Sequence, residues 1–249
     1  MRTLDVRVSG IGAWSPAQAD WPRLREWLRG QGGESVPAAR PAAAVLPQAE
    51  RRRAPATVLL ACEVAAQACA AADRDAASLP CVFASSFGEV AISDEMCATL
   101  ARAPRELSPT RFHNSVHNAP VGYWTQAVHC HASSNALSAW HGTLAAGLLE
   151  AAALAHADAT PVLLVVYDAA ANGPLANLLG ADASLAFALV LEPAADARGA
   201  CLRLHHAGSD DDAATHSGID LLRALAQPRR AHLQLAAGDG RVLEVEVVP

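Results

Sequence analysis

Residues 135–143, which read NALSAWHGT, decide how this chain is expected to fold. This stretch predicts a short apolar strand that runs into a sharp turn, and the Ala/Leu-rich segment from Leu144 to about Ala157 predicts a long helix after it. Such an elbow presents a residue at a helix N-terminus, where free N–H groups and the helix dipole favour a developing negative charge. His141 occupies that place. The sequence therefore indicates the geometry of a nucleophile site without the nucleophile.

Strands and helices alternate along the rest of the chain. Apolar runs predict strands at Leu4–Val8, Cys81–Ala84 and Pro161–Tyr167. Helical spacing of apolar residues predicts helices at Trp21–Arg29, Ala56–Ala72, Ile92–Arg102 and Val121–Val128. Gln31–Glu50 is predicted to be a surface connection and Leu107–Pro120 a loop. The alternation indicates an α/β layered sheet, and the continuous run at 161–167 is typical of a central parallel strand covered on both faces.

The C-terminal residues predict a small separate unit. Asp210–Asp212 begins a polar linker, and Gly218–Leu225 is predicted to be a short helix. The strands Ala231–Ala236 and Arg241–Val247 are predicted to form a β-hairpin around the turn at 238–240. We expect this hairpin to cover a sheet edge, where unpaired backbone groups would otherwise be exposed.

Composition narrows the class of protein. The 249 residues are enough for one large domain or a domain with a small appendage. The net charge is −6 and every basic residue is arginine, without the basic stripe and interleaved aromatics of a nucleic-acid-binding protein. Six cysteines without a secretory leader indicate free thiols in a reducing compartment, so we expect a cytoplasmic protein. No apolar run of membrane length is present, because the helix after Leu144 carries Glu150.

Four segments together resemble the β-ketoacyl synthases of the thiolase superfamily. They are the strand Leu4–Val8 with the turn Gly10–Pro16, the strand end Ser85–Gly88, the segment Asn114–Thr143, and Asp182–Pro193. The resemblance covers roughly residues 4 to 205. It is strongest to the short synthase-like proteins of aryl-polyene and polyketide pathways, which resemble ketosynthase chain-length factors.

The resemblance implies a thiolase-like half-fold: a mostly parallel sheet flanked by helices, with a small C-terminal helix and β-hairpin. Residues 1–205 would form the ketosynthase-like N-terminal domain. Residues 206–249 would be a short appendage that replaces the missing second half. No cofactor is implied.

The same resemblance assigns site residues. Aligned without a gap, Asn118 and Gly122 fall on the family's Asn and Gly, and His141 falls on its catalytic Cys. Binding or tunnel positions are implied for Trp140, Gly142, Thr143 and Asn118. The strand before the elbow pairs across a two-fold interface in the family, which implies an interface at Ser134, Asn135, Ala136, Leu137 and Ser138.

Departures from the family pattern argue against independent catalysis. Residues 129–133 read HCHAS where the family has Gly-x-x-Gly-Pro. The family's two catalytic histidines and its lysine lie in a C-terminal half for which too few residues remain. The resemblance therefore implies a non-catalytic partner of a cysteine-bearing ketosynthase in polyketide, aryl-polyene or fatty-acid-type synthesis, as a heterodimer or with a second copy of itself. An acidic acyl carrier protein would be an indirect partner, and the run Arg51–Arg53 is expected to be a solvated loop.

Two other functions stay open. The chain could act alone as a malonyl-thioester decarboxylase or acyltransferase through His141. It could also be a metal-binding or structural protein that uses its histidine-rich stretch, which holds His113, His117, His129, Cys130, His131 and His141. We predict no metal site, because His113 and His117 flank a Pro-bounded loop and the histidines are expected to be separate surface side chains. Cys130 lies eleven residues before the elbow and is expected to be an inert thiol.

Overall fold

The protein is described here by a computed structural model that covers residues 3–32, 40–180, 183–193, 199–208 and 215–249. In chain order, strands β1 to β8 are Leu4–Trp14, Cys81–Ala84, Ser134–Leu137, Val162–Asp168, Leu185–Pro193, Cys201–Gly208, Ala231–Ala236 and Arg241–Val248. Helices α1 to α9 are Trp21–Leu28, Gln48–Arg53, Ala56–Ala72, Val90–Arg102, Pro109–Ser115, Ala119–Ala127, Thr143–Asp158, Pro174–Leu179 and Gly218–Ala226.

One eight-stranded sheet has the strand order β3-β2-β4-β5-β1-β6-β8-β7. Only β2 pairs in parallel, with β3 and with β4; the remaining pairs are antiparallel. The α/β prediction is confirmed, but the sheet is mixed and not mostly parallel. Parallel neighbours need crossover connections, and long helical connections join β2 to β3 and β3 to β4. Strand β4 is parallel to β2 on one side and antiparallel to β5 on the other.

Two long helices cover opposite faces of the sheet. Helix α3 packs with Leu163, Val165, Ala188 and Val190 in one apolar cluster. Helix α7 packs with the alternate strand residues, such as Leu164 and Leu189, in another. Because successive side chains of a strand point to opposite faces, the two clusters lie on the two sides of the sheet. Both helices are apolar nearly all round, as buried helices are.

Strand β1 continues through the glycines at 10 and 12, where a turn was predicted. The reason is the close approach of α3. A Cβ at Gly12 would lie 2.1 Å from the carbonyl oxygen of Val64, and one at Gly10 would lie 2.3 Å from that of Ala68. These glycines therefore allow helix and strand backbones to touch.

Two helices lie where connections were predicted. Helix α5 begins after Ser108, whose side chain accepts a hydrogen bond from the N–H of Arg111, with Pro109 in the first turn; both features favour a helix start. Helix α2 includes Arg51–Arg53, which were expected to lie in a solvated loop. The predicted linker Asp210–Asp212 and the position Asp182 lie outside the described residues.

The C-terminal helix and hairpin were predicted correctly. Strand β8 pairs with β6 from Cys201 opposite Val248 to Gly208 opposite Arg241, so the hairpin covers the edge of β6 and extends the sheet. Strand β7 then forms the new edge. At its middle, the N–H of His216 donates to the carbonyl of Gln234 over 2.7 Å. The N–H of Gln234 donates back to Nδ1 of His216 over 3.1 Å.

Asp168, at the end of β4, joins the ends of two parallel strands. Its Oδ1 accepts hydrogen bonds from the hydroxyl of Ser85 at 2.8 Å and from the N–H groups of Ser86 at 3.0 Å and Phe87 at 3.2 Å. The N–H of Gly88 donates to the Ser85 hydroxyl over 2.9 Å. Burial raises the pKa of this carboxyl above its ordinary value, although the hydrogen bonds from Ser85, Ser86 and Phe87 partly oppose the shift. The loop 85–88 is thus tied to β4.

Gly12→Ala should destabilise the fold, because the added methyl group meets backbone that cannot move alone. We expect a loss on the order of 3 kcal/mol in the free energy of unfolding and a Tm lower by roughly 6–12 °C. Gly122→Ala is the matched control: it lies in α6 with no atom within 4 Å of the added Cβ. The control should keep or raise the Tm, since alanine is the better helix former. Equal Tm values for the two variants would contradict this account.

Asp168 should make stability depend on pH in one direction. A raised folded-state pKa means that the folded protein binds this proton more tightly than the unfolded chain does. The resulting stabilisation is complete below the unfolded pKa of about 3.9 and is lost as the pH rises through the raised value. In urea titrations, the wild type should therefore lose stability relative to Asp168→Asn as the pH rises above about 4. A gain over that range would contradict the burial of this group.

Candidate functional site

The elbow after β3 is closed by hydrogen bonds around Thr143. Its hydroxyl donates to the carbonyl of Trp140 over 2.7 Å and accepts from the N–H of Ala139 over 2.9 Å. A short 3₁₀ turn, Trp140–Gly142, leads into α7. Trp140 has φ +53°, a left-handed conformation that is uncommon for a bulky residue and clusters at functional sites. The predicted strand, turn and helix are present, and the tip of the turn is Trp140, one residue before His141.

Aromatic contacts surround this tip. The ring of Phe87 packs edge-to-face on the Trp140 indole at 5.5 Å, and the His141 ring does so at 5.2 Å. The Ser138 hydroxyl donates to the carbonyl of Ser86 over 3.1 Å. Half of the indole, 51%, is exposed. The loop that Asp168 holds therefore supports the elbow and orients an aromatic surface toward solvent.

The residues predicted to bind a ligand or line a tunnel lie in two separate places. Trp140 and His141 are exposed at the elbow, whereas Gly142 and Thr143 are buried beneath it. Asn118 precedes α6, makes no capping hydrogen bond with its side chain, and lines a different groove. Only Trp140, Gly142 and Thr143 are thus brought together, and of these only the indole offers a surface to a ligand.

The groove beside Asn118 has a volume of about 780 Å³ and lies between α2 and the helices α5 and α6. Leu46, Pro47 and Val116 form its apolar part. Its polar lining residues are Glu50, His113, Asn118, Tyr123, Gln126 and His129. This groove was not predicted, since two of its walls were expected to be irregular connections.

The histidines do not converge. Nε2 of His117 lies 3.1 Å from the carbonyl oxygen of Ser85. The His113 ring packs near Tyr123, at 6.4 Å between ring centres, while His141 lies against Trp140. Across the described ranges, no group of three or more His, Cys, Asp or Glu side chains is arranged to hold a metal ion. The metal-binding hypothesis therefore gains no support from their placement.

Cys130 lies away from the elbow and is 7% exposed, with its thiol donating to the carbonyl of Leu79 over 3.4 Å. Nearby thiols are also buried: desolvation raises the pKa of Cys69 and of Cys81 to about 12. Such thiols stay protonated near neutral pH and are poor nucleophiles. The inertness of Cys130 itself stays a prediction.

The predicted interface residues lie on an edge of the sheet. Strand β3 pairs only with β2 among the described strands. The carbonyls of Ser133 and Leu137 accept hydrogen bonds from β2, so by alternation the backbone groups of Ser134 and Ala136 point away from the sheet. The Asn135 side chain donates to Oε1 of Glu150 over 2.9 Å. An unpaired edge of this kind can accept another strand.

Two acidic residues beside the loop 85–88 were missed from the sequence, one of them half-buried and the other buried. Asp168 follows directly on an apolar strand, which is a signal for a polar group at a strand end. Glu89 is 7% exposed and accepts a 2.6 Å hydrogen bond from the Thr57 hydroxyl, and its sequence context gives no such signal.

In the described residues, no helix is long and apolar enough to cross a membrane.

Comparisons with solved structures identify the fold. A chain of the complex of the ketosynthase ApeO with its chain length factor ApeC, from Xenorhabdus doucetiae, is 22% identical, with a TM-score of 0.77 over 97% of this chain and 99% of that chain. A chain of the AntDE:AntF complex of a type II PKS acyl-carrier protein with its ketosynthase is 16% identical, with a TM-score of 0.76 over 99% of each chain. A chain of the ishigamide ketosynthase/chain length factor is 12% identical, with a TM-score of 0.70 over 97% of this chain and 98% of that chain. At these identities the three matches show a shared fold.

No protein of curated function matches the sequence. A family model does: the one described as "Beta-ketoacyl synthase, N-terminal domain" matches residues 24–239, most of the chain. The resemblance found in the sequence and the thiolase-like α/β fold agree with this match. The chain belongs to the family of β-ketoacyl synthase N-terminal domains.

Proposed function

We propose that this chain is a non-catalytic, chain-length-factor-like partner subunit of a cysteine-bearing β-ketoacyl synthase. The complex would act in the cytoplasm, in polyketide, aryl-polyene or fatty-acid-type biosynthesis. One observation carries the proposal. The strand-to-helix elbow is intact, yet it presents Trp140 and His141, and the chain's six cysteines all lie elsewhere.

The extent of the structural matches supports a partner role. The chain matches nearly the whole length of chains from a ketosynthase complex with its chain length factor and from the ishigamide ketosynthase/chain length factor. Chains of about this length therefore occur in structures of ketosynthases with chain length factors. The identities of 22% and 12% support the fold, and the missing thiol supports the absence of acyl transfer on this subunit.

The free edge of β3 is the surface we propose for the synthase. Ser134 and Ala136 offer backbone donors and acceptors to a partner strand, and the exposed side chains of Asn135 and Ser138 flank them. Main-chain pairing of two strand edges would join the two subunits into one continuous sheet. The elbow follows this strand directly, so the Trp140 indole would face the space in which the partner extends its acyl chain. A bulky side chain there would limit the chain's length.

Ala136→Pro should disrupt this interface selectively. Proline removes the outward N–H, and it disturbs little else because that N–H does not bond to β2. His232→Pro on β7 is the matched control, since it places proline at an outward position of the opposite edge. We expect Ala136→Pro to abolish co-purification with a co-expressed cysteine-bearing ketosynthase while the control is retained. Co-purification of the Ala136→Pro variant with the ketosynthase at the wild-type level would contradict the β3 proposal.

Trp140→Ala should lengthen the product of the assembled complex by at least one extension unit, because it removes the indole from the elbow. His141→Ala is the control, and we expect its product to match that of the wild type. The measurement is mass spectrometry of the carrier-bound products. Unchanged length in Trp140→Ala would refute the role of the indole. Decarboxylation of malonyl carrier protein by the isolated chain, lost in His141→Ala, would instead establish an enzyme acting through His141.

A further inference from the structure

The outer edge of β7 is covered at its middle by one exposed histidine. The N–H of Gln234 donates to Nδ1 of His216 over 3.1 Å, and the carbonyl of Gln234 accepts from the N–H of His216 over 2.7 Å. Among the residues that the structure describes, no other residue bonds to the backbone on this side of β7. The imidazole therefore stands where a neighbouring strand would place a carbonyl.

These contacts determine where the neutral imidazole carries its proton. A backbone N–H can only donate, so Nδ1 of His216 offers its lone pair to Gln234 and the ring proton lies on Nε2. In the charged ring both nitrogens carry protons, and Nδ1 then faces the Gln234 N–H as a second donor. The Gln234 carbonyl, 3.3 Å from Nδ1, already accepts the backbone N–H of His216. Protonation therefore leaves the amide of Gln234 without its acceptor.

Charged groups from α9 and from the three C-terminal strands face His216 across the two grooves that it lines. They are the carboxylates Asp220 of α9 and Glu244 and Glu246 of β8, the arginines Arg203 of β6, Arg223 of α9 and Arg229 before β7, and the imidazoles His205 of β6 and His232 of β7. Glu244 lies 2.6 Å from His205, and Glu246 lies 3.3 Å from Arg203. These two carboxylates are thus already engaged across the strands.

Asp220 is the carboxylate whose charge acts on His216. The pKa of Asp220 is lowered, first by the hydrogen bond from the N–H of Ser217 at 2.9 Å and further by the charges of Arg223 and His216. Asp220 therefore stays ionised in mildly acidic solution, where imidazoles take up protons. A charged His216 gains an attraction to Asp220 at the same time as it loses its bond to Gln234.

We propose that His216 is a pH-sensitive cover of the β7 edge. While its imidazole is neutral, it occupies the amide of Gln234; when it takes up a proton, it releases this amide to the same strand of a second copy of the chain. An edge with free N–H and C=O groups is a template for another strand. This contact needs no ketosynthase and does not rest on the proposed function.

The sequence of β7 favours pairing with itself. By alternation, the backbone groups of His232, Gln234 and Ala236 all point outward. Antiparallel pairing about a two-fold axis at Gln234 would place each His232 opposite an Ala236, so that no like charges face each other. Leu233 and Leu235 are 7% and 1% exposed on the core side of the strand. The leucines of both copies would lie on that same side of the joined sheet.

The test compares two variants that each remove one imidazole. His216→Asn keeps an acceptor oxygen for the Gln234 N–H at any pH, whereas His232→Asn removes an exposed imidazole of β7 itself. Both lose the same charge, so any general association caused by the fall in net charge on acidification is common to both. The dimer dissociation constant of the full chain is measured by analytical ultracentrifugation at about pH 8 and about pH 5.5.

Acidification should strengthen dimerisation in the wild type and in His232→Asn about fivefold more than in His216→Asn, the change that one net hydrogen bond allows. In NMR spectra, the Gln234 amide signal should shift with the same pH midpoint as the His216 ring and stay constant in His216→Asn. An equal response of the two asparagine variants would overturn the proposal. So would a Gln234 amide that ignores the titration of His216.

Two proline variants locate the contact. His232→Pro removes an outward N–H from β7, and Ala136→Pro removes one from β3. Acid-induced dimerisation should be lost in the first and kept in the second, and the reverse result would place the association at β3, against the proposal. The two asparagine variants still decide the question if a proline variant fails to fold. Because none of these samples contains a ketosynthase, failure of the proposed function would appear separately.

Discussion

Close packing of α7 against the sheet is the constraint on which the elbow depends. A Cβ at Gly147 would lie 2.9 Å from the Cβ of Ala84 and 3.2 Å from a methyl of Leu164. Ala145, Ala151, Ala152 and Ala155 are 2% exposed or less. Small residues let the helix backbone approach the strands, and at interior packing density there is little room for it to shift. The position of the helix N-terminus is thereby fixed, and with it the orientation of the residue at the tip.

Buried, regular elements were predictable from the sequence. The bounds of α3 and β2 match their predictions, because elements covered on all sides appear as uninterrupted apolar runs. Strand directions were not predictable in this way, since the apolar run of β4 is the same whether its neighbour β5 is parallel or antiparallel. Helix α5 was missed because its short polar sequence has no apolar periodicity, although its capping serine and proline were visible in the sequence.

The site was predictable in its outline. The elbow and the absence of a thiol from it follow from the order of residues in 135–143 alone. That the strained backbone falls on Trp140 depends on the hydrogen bonds around Thr143, and the groove beside Asn118 depends on segments some 70 residues apart in the chain. Such features arise from tertiary packing, and neither hydropathy nor spacing reports them.

The two ends of the sheet are unlike, and this difference would limit the proposed strand pairing to two chains. Strand β3 at one end offers unpaired backbone amides. The middle of β7 at the other end is occupied by hydrogen bonds to the imidazole and the backbone amide of His216. Head-to-tail stacking of sheets into a fibre needs two receptive ends on every molecule, and among the described strands only β3 offers one. If the partner adds its strand there, as proposed, the sheet would stop growing once two polypeptides have met.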